Sequence, residues 1–413
     1  MAASLFSEAH RMEVLPVYLF DEVVRLKNEA IARGVDVIDL GVGDPDLKTP
    51  DHIVRAMKSA LDAPRNHHYS SYRGIPELRQ AFAEWYLERF GVTLDPETEV
   101  LPLLGSKEGI GHIHLAYINQ DDEVLVPDPG YPTYQGGTIL AGGRPLYYPL
   151  LKENAFLPDF SALENLDLRR VPLMHLNFPS NPTTATAPLQ FFEKAVQFGL
   201  EHRIILCHDA AYSELYFDGV QPVSFLQAKE AKRIGIEFHS LSKTYNMTGW
   251  RLGVAVGNRH IISALGKVKS NYDTGIFLAV QWAGTEALRG DQTFLNETRN
   301  QFQRRRDLFV EGLQRIGFSV EKPKATFYVW AETPGNESSK EFARRMLEEA
   351  GVVVTPGVGF GQYGEGYFRV ALTVGEARLE EALDRLLGCA DPRSLPLLTP
   401  GRRARRQAVH GQR

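Results

Sequence analysis

"IEFHSLSKTYNMTGWRLGVAVG", residues 236–257, is the stretch that decides how this 413-residue chain is read. Ile236 to Ser240 has the pattern of a buried strand running into small polar residues, and Leu252 to Val256 resumes apolar character as a second strand. Lys243 therefore falls at a strand end, where α/β sheets gather their ligands. Ser240, Ser242, Thr244 and Thr248 surround it with hydroxyls, and Arg251 adds a planar guanidinium suited to a phosphate. Two chemistries fit a lysine beside a phosphate cradle: a nucleotide site in which it is a point charge, or a Schiff-base lysine holding a phosphorylated aldehyde. The P-loop pattern is absent here, and "GVGDPD" at 41–46 fails as a dinucleotide fingerprint because Pro45 interrupts it.

Working outward, residues 51 to 390 alternate helical patterns with short apolar runs, which predicts a mostly parallel sheet covered by helices, an α/β fold. "PDHIVRAMKSALDA" carries Ile53, Val54, Met57 and Leu61 on one helical face. "PELRQAFAEWYLERFG" spaces Leu78, Phe82, Tyr86 and Phe90 by four before Gly91 stops it. The expected organisation is a large domain over 49–289 and a smaller one over 290–390. The N-terminal arm, 1–48, contributes to the smaller domain, and 391–413 reads as a disordered basic tail. A net charge of -5 gives no general attraction to nucleic acid, and no apolar run reaches the ~20 residues that span a bilayer. The start lacks the basic and apolar regions of a secretory signal, and Cys207 and Cys389 form neither a CxxC pair nor a zinc site. A cytoplasmic protein without a metal is expected.

A pyridoxal phosphate site makes further demands, and each has a candidate. Asp209 ends the apolar strand "RIILCHD" and could keep a pyridinium protonated, with Tyr212 three residues on to reach the phenolate oxygen. Asn181, before a turn-fixing proline in "NFPSNPTTA", offers an amide donor. Gly105, Ser106 and Lys107 open a helix whose free amides and positive dipole end suit a phosphate. Tyr131 in "PDPGYPTY" is placed to stack on an aromatic ring. Singly, each has a bland reading as a cap, turn former or half-buried aromatic. Jointly they do not. His112 and His114 resemble a metal pair, yet on a helix residues i and i+2 point to different faces, so they are read as packing or surface residues.

These residues resemble the class I/II aminotransferases of the fold-type I pyridoxal-phosphate family, over about Val14 to Leu387. "SLSKTYNMTGWRLG" looks like the family's lysine signature, "NPTT" its NPTG loop, "HDAAYSE" its D-x-x-Y strand and "YFRVALT" its carboxylate-binding arginine strand. "LPVYLFDEV", "GVGDPDLKTP" and "HHYSSYRGIPELR" are most similar to LL-diaminopimelate aminotransferases and their aspartate- and alanine-type relatives. The resemblance implies that Lys243 is the Schiff-base lysine and Asp209 the partner of the pyridinium nitrogen, with Tyr212 and Asn181 donating to the phenolate oxygen. Ser106, Lys107, Ser240, Ser242 and Arg251 would hold the phosphate or line its loop, and Tyr131 would stack on the ring. Tyr69, five residues before Gly74, would reach the phosphate of a neighbouring subunit, which implies a homodimer with shared sites. Arg369 would grip the substrate α-carboxylate, helped by the Gly43 backbone, and Tyr18 and Tyr72 would line the side-chain pocket.

The implied activity is transfer of an amino group between an amino acid and a 2-oxo acid, with glutamate and 2-oxoglutarate as one pair. LL-diaminopimelate, as in lysine biosynthesis, is the favoured other donor over aspartate or alanine. Tyr18, Tyr72 and Lys107 form a polar set that suits a distal carboxylate better than an aromatic ring. A carbon-sulfur β-lyase would use the same cofactor site. A non-catalytic regulator would need an N-terminal DNA-binding domain, and Gly43 already lies within the catalytic region. One departure stands out: the NPTG glycine is Thr184 here. If that position needs a positive φ, a β-branched residue there costs roughly 1 to 2 kcal/mol.

Overall fold

The computed structural model describes residues 6–16, 19–335 and 337–389. Tyr18 and the 391–413 tail lie outside them. Seven strands form the main sheet: β1 (Val100–Leu103), β2 (Glu123–Asp128), β3 (Arg144–Pro149), β4 (Leu173–Asn177), β5 (Ile205–Asp209), β6 (Gly235–Ser240) and β7 (Gly253–Gly257). Their order is β1-β7-β6-β5-β4-β2-β3, and every neighbouring pair is parallel except the two that β7 makes. β1, β4, β6 and β7 are buried along their whole length; β1 and β7 accordingly read as apolar runs, whereas β4 and β6 carry buried polar residues, among them His175, Glu237 and His239.

Helices cover the sheet where their apolar stripes dictate. The helix Pro76–Phe90 starts on a proline at its first turn and ends on Gly91 at φ 68°, the left-handed conformation that closes a helix without a Cβ penalty. Leu78, Phe82, Tyr86 and Phe90, the predicted stripe, are all buried. Tyr86 reaches across to Glu237 of β6 (2.9 Å). Glu237 also accepts from Ser224 Oγ (2.8 Å), the Phe225 amide (2.8 Å) and His208 Nδ1 (2.8 Å), while His208 Nε2 donates to the Phe178 carbonyl (2.9 Å). Burial pushes the Glu237 carboxyl up, but these donors outweigh it and its pKa lies below the ordinary value. The pair fastens β5 to β6 one residue before Asp209.

A second apolar cluster, which includes Phe302, Phe309, Phe327, Val329, Phe342, Phe368 and Leu379, packs under an antiparallel sheet of Thr355–Pro356, Tyr367–Ala371 and Tyr328–Glu332. The N-terminal segment joins it: Ile38–Asp39 pairs in parallel with Val352–Val353, and the Ala371 amide donates to the Leu40 carbonyl (2.7 Å). The helix Thr293–Arg315 runs alongside. The loop 41–46 leaves this region toward the carboxyl ends of the main sheet's strands, where Lys243 stands. No helix of the described residues is long and apolar enough to cross a membrane.

Candidate active site

Four strand ends build the site. β6 ends at Ser240, whose side chain caps the short helix Leu241–Thr244 by accepting from the Ser242 amide (3.2 Å). That turn carries Lys243, whose Nζ donates to the Gly43 carbonyl (2.8 Å) and lies 5.4 Å from the centre of the Phe327 ring. Burial pulls the Lys243 ammonium down to about 8; Asp44 opposes the shift, and Arg369 and Arg251 add to it. A lysine so placed is close to the point where it can give and take a proton near neutral pH.

Leu103 at the end of β1 and Ser240 at the end of β6 both pair with Gly253 of β7, so the two strand ends flank that glycine. The chain then turns through Gly105 at φ 81° into the 12-residue helix Ser106–Tyr117. Arg251, itself at φ 56°, donates to the Thr248 carbonyl (2.9 Å) and the Leu104 carbonyl (3.4 Å). A Cβ on Gly105 would stand 2.4 Å from Arg251 Nη2, and one on Gly253 would stand 2.7 Å from the Ser106 amide. The two glycines thus let a helix N-terminus, a guanidinium and the Ser240 and Ser242 turn converge, a cradle for a doubly charged anion. Lys107 is exposed at the helix start.

β5 ends at Asp209, buried and bonded by the Tyr134 hydroxyl (2.9 Å) and the Ala211 amide (3.3 Å). Burial pushes its carboxyl up despite these donors. Asn177, at the end of β4, spans two elements. Its amide donates to the Asp209 carbonyl (2.8 Å), and its side-chain oxygen accepts from the Asn181 amide (2.8 Å). Asn181 Oδ1 then accepts from Arg369 Nη1 (2.6 Å), and Arg369 Nη2 donates to the Gly41 carbonyl (2.8 Å). The Arg369 guanidinium lies 4.1 Å from the centre of the Tyr328 ring and 4.7 Å from that of Phe360. The Tyr212 hydroxyl bonds that of Tyr328 (3.1 Å), and a Cβ on Gly43 would strike the Tyr328 oxygen at 1.9 Å. Only glycine allows that approach.

The fold therefore brings Lys243, Asp209, Tyr212, Asn181, Arg369 and Gly43 into one connected group, with the Ser106, Ser240, Ser242 and Arg251 cradle beside it. Tyr131 stands edge-on to Tyr134, their rings 5.8 Å apart. Tyr72 is only partly covered, and Tyr69 is 91% exposed, making almost no contact with its own chain. Thr184 does sit at φ 62°, so the threonine carries the left-handed strain that a glycine would escape, about 1 to 2 kcal/mol. The Asn181 contacts are intact beside it.

Residues that the pattern alone did not single out complete the group. Tyr134 lies one helical turn beyond Tyr131, a spacing that places both on one face. Its ring stacks on His175 (4.6 Å, 15°), whose Nε2 is 3.0 Å from His114 Nε2. Burial lowers the pKa of both imidazoles, His114 to about 4, so the pair adds no charge near Asp209. Tyr328 was hidden in the apolar strand "ATFYVWAE". His112 belongs with Glu108 and Asp273, the one grouping of metal-ligand type among the described residues. The Lys269 ammonium already fills it, at 2.7 Å from Asp273 and 3.1 Å from Glu108.

Residues 35–386 match the family model for aminotransferase class I and II. The chain belongs to the class I and II aminotransferases. This aminotransferase is 54% identical over 381 residues to the LL-diaminopimelate aminotransferase of Syntrophobacter fumaroxidans, covering 92% of this chain and 98% of that protein. Among solved structures it is similar to substrate-bound BacF from Bacillus subtilis (TM-score 0.90, 38% identity, 96% of this chain and 100% of that one). It is also similar to the aspartate aminotransferase of Thermus thermophilus with maleate (TM-score 0.88, 31% identity, 93% and 100%). Open α/β sheets gather ligands at the carboxyl ends of their strands, and Lys243, Asp209 and Asn181 stand at or just beyond three such ends.

Proposed function

We propose that this aminotransferase uses pyridoxal 5'-phosphate and exchanges amino groups between LL-diaminopimelate and 2-oxoglutarate, with glutamate as the other amino acid. The observation that carries the reading is Lys243: a buried amine with its pKa drawn to about 8, beside a phosphate-shaped cradle and a buried carboxylate. The residues fit the cofactor. Ser106, Lys107, Ser240, Ser242 and Arg251 would hold its phosphate or line the phosphate loop, Tyr131 would stack on its ring, and Asp209 would hold a proton on the ring nitrogen. Because Asn181 Oδ1 is committed to Arg369, the amide NH₂ end is left to donate, alongside Tyr212, to the phenolate oxygen. When bound, the cofactor supplies an electron sink for charge developing at the substrate α-carbon.

The chain's own residues do the rest. Arg369 grips the α-carboxylate as a planar fork and the Gly43 backbone closes over it. The Lys243 amine would take the proton from the substrate α-carbon and, as an ammonium donating to the Gly43 carbonyl, give it up within the same half-reaction to the cofactor carbon that carries the amino nitrogen; the half-reaction of the 2-oxo acid would run the same transfer in reverse. Tyr72 and Lys107 would line the distal part of the substrate; Tyr18, to which the resemblance gives the same role, lies outside the described residues. We assign 49–289 to a large domain and 290–390, with 1–48, to a small one, in a cytoplasmic enzyme.

The choice of LL-diaminopimelate rests on the similarity to the relative from Syntrophobacter fumaroxidans. Half-reactions followed by the visible absorbance of the cofactor-loaded enzyme test it. LL-diaminopimelate and glutamate should convert the spectrum rapidly, and phenylalanine and tyrosine slowly. Rapid conversion by the aromatic pair with none by glutamate refutes the polar pocket, and pyruvate release from cystathionine without that conversion favours a β-lyase.

The near-complete exposure of Tyr69 supports a homodimer in which it reaches the partner's phosphate cradle. Mixing Lys243→Ala with Tyr69→Phe chains should restore activity above either parent, because one hybrid site then has both native residues. Sedimentation of the fully active enzyme as a monomer excludes this arrangement.

A further inference from the structure

The loop 41–46 is held at three places by the smaller body. The Gly41 carbonyl accepts from Arg369 Nη2 (2.8 Å) and Thr355 Oγ1 (2.9 Å), and the Val42 carbonyl accepts from Thr373 Oγ1 (3.0 Å). At the far end, Arg305 of the helix Thr293–Arg315 grips Asp46 with both terminal nitrogens, Nη1 to Oδ1 (2.6 Å) and Nη2 to Oδ2 (2.7 Å). The same Nη1 donates to the Leu372 carbonyl (3.0 Å), immediately after the strand that carries Arg369. The Arg305 side chain is 2% exposed and touches neither Lys243 nor Arg369 in any hydrogen bond; it reaches the site through the loop. Between the anchors, the Gly43 carbonyl meets Lys243 Nζ at 2.8 Å.

We propose that Arg305 is a positioning residue for amino-group transfer: its fork on Asp46 holds the Gly43 carbonyl against Lys243, and its bond to Leu372 ties that contact to the strand bearing Arg369. One guanidinium thereby sets the distance between the proton-transfer amine and the carboxylate-binding arginine. The geometry requires arginine, because a lysine is a single point donor and cannot hold both carboxylate oxygens and the carbonyl in one plane. Asp46 has the matching role. The inference rests on Lys243 and Arg369 acting as proposed above.

The neighbouring Arg306 supplies a control. It is equally buried and forks onto Asp218 (2.7 and 3.0 Å) and the Pro323 carbonyl (2.8 Å), remote from the loop. In the full cofactor-loaded enzyme, kcat per borohydride-labelled Lys243 should fall in Arg305→Gln. KM for both the amino acid and the 2-oxo acid should rise, lowering kcat/KM by about tenfold to a hundredfold. Cofactor affinity by equilibrium dialysis should stay within about twofold, since the fork does not touch the phosphate cradle. Arg305→Lys should recover little, and combining Arg305→Gln with Asp46→Asn should add nothing to either single change. Arg306→Gln should lose stability while keeping kcat/KM per labelled site. The proposal is overturned by wild-type kcat/KM per site in Arg305→Gln, or by equal losses in Arg306→Gln. Should Arg305→Gln not fold, Asp46→Asn, which conserves volume, carries the same expectation. Absence of the label from Lys243 in the wild-type enzyme would instead refute the reading of the lysine itself.

Discussion

Replacing Lys243 with alanine should slow amino-group transfer by about 10²- to 10⁴-fold for the lost proton transfer alone. Lys107, at the exposed start of a helix, and Lys269, whose ammonium is bound between Glu108 and Asp273, are not placed to substitute. Single-turnover half-reactions measure the rate, and borohydride reduction followed by peptide mass should fix the cofactor on Lys243 in the wild-type enzyme. Label on a different lysine would sink the assignment. Burial of this amine has a second consequence. Its pKa is drawn from 10.5 down to about 8 in the folded, cofactor-free protein, so between those values the unfolded chain binds more protons than the native one. Stability contributed through this group should therefore rise as pH increases from about 8 toward 10.5, and the full cost of burying the ammonium should be felt below about 8. Urea unfolding of cofactor-free wild type and Lys243→Met across that window measures it: the stability difference between them should change with pH there and stay flat below. A difference independent of pH would show that the amine is not desolvated.

Asp209→Asn should lower the transfer rate by about 30- to several-thousand-fold, the equivalent of roughly 2 to 5 kcal/mol for removing one partner of a buried charge pair. The carboxylate sits at the end of β5 with two donors, Tyr134 and the Ala211 amide, and no cation hydrogen-bonded to it. Its charge is thus available to a protonated ring nitrogen, and the neutral His114 and His175 pair behind Tyr134 does not compete for it. Asparagine keeps the volume but removes the charge, so packing and cofactor stoichiometry should persist while the rate falls and the cofactor dissociates more readily. Tyr134→Phe, which removes one donor and keeps the ring stack, should cost about tenfold. Wild-type rates in Asp209→Asn would mean that the ring nitrogen faces a different group.

Within a few residues of each functional position, the chain's own chemistry was legible. The run from Ile236 into Ser240 marks a strand end at Lys243, the apolar stretch before Asp209 marks another, and Gly105 before Ser106 marks a helix opening, because strand burial, capping and left-handed turns are local properties. Even the strain at Thr184 could be anticipated, since it depends on a single backbone angle and a β-branched side chain. What the tertiary structure alone decided is which of these points meet. Asn181 and Arg369 are 188 residues apart and Asp46 and Arg305 are 259 apart, and no local pattern states that they pair. Tyr134 looks like any helix-face aromatic until β5 places Asp209 over its hydroxyl. Gly43 contributes no side chain at all; its importance is a carbonyl direction and a missing Cβ, both set by how the loop packs between Tyr328 and Lys243. The physical reason is that local propensity fixes the ends of elements, while the contacts between ends depend on how apolar faces far apart in the chain are buried against one another.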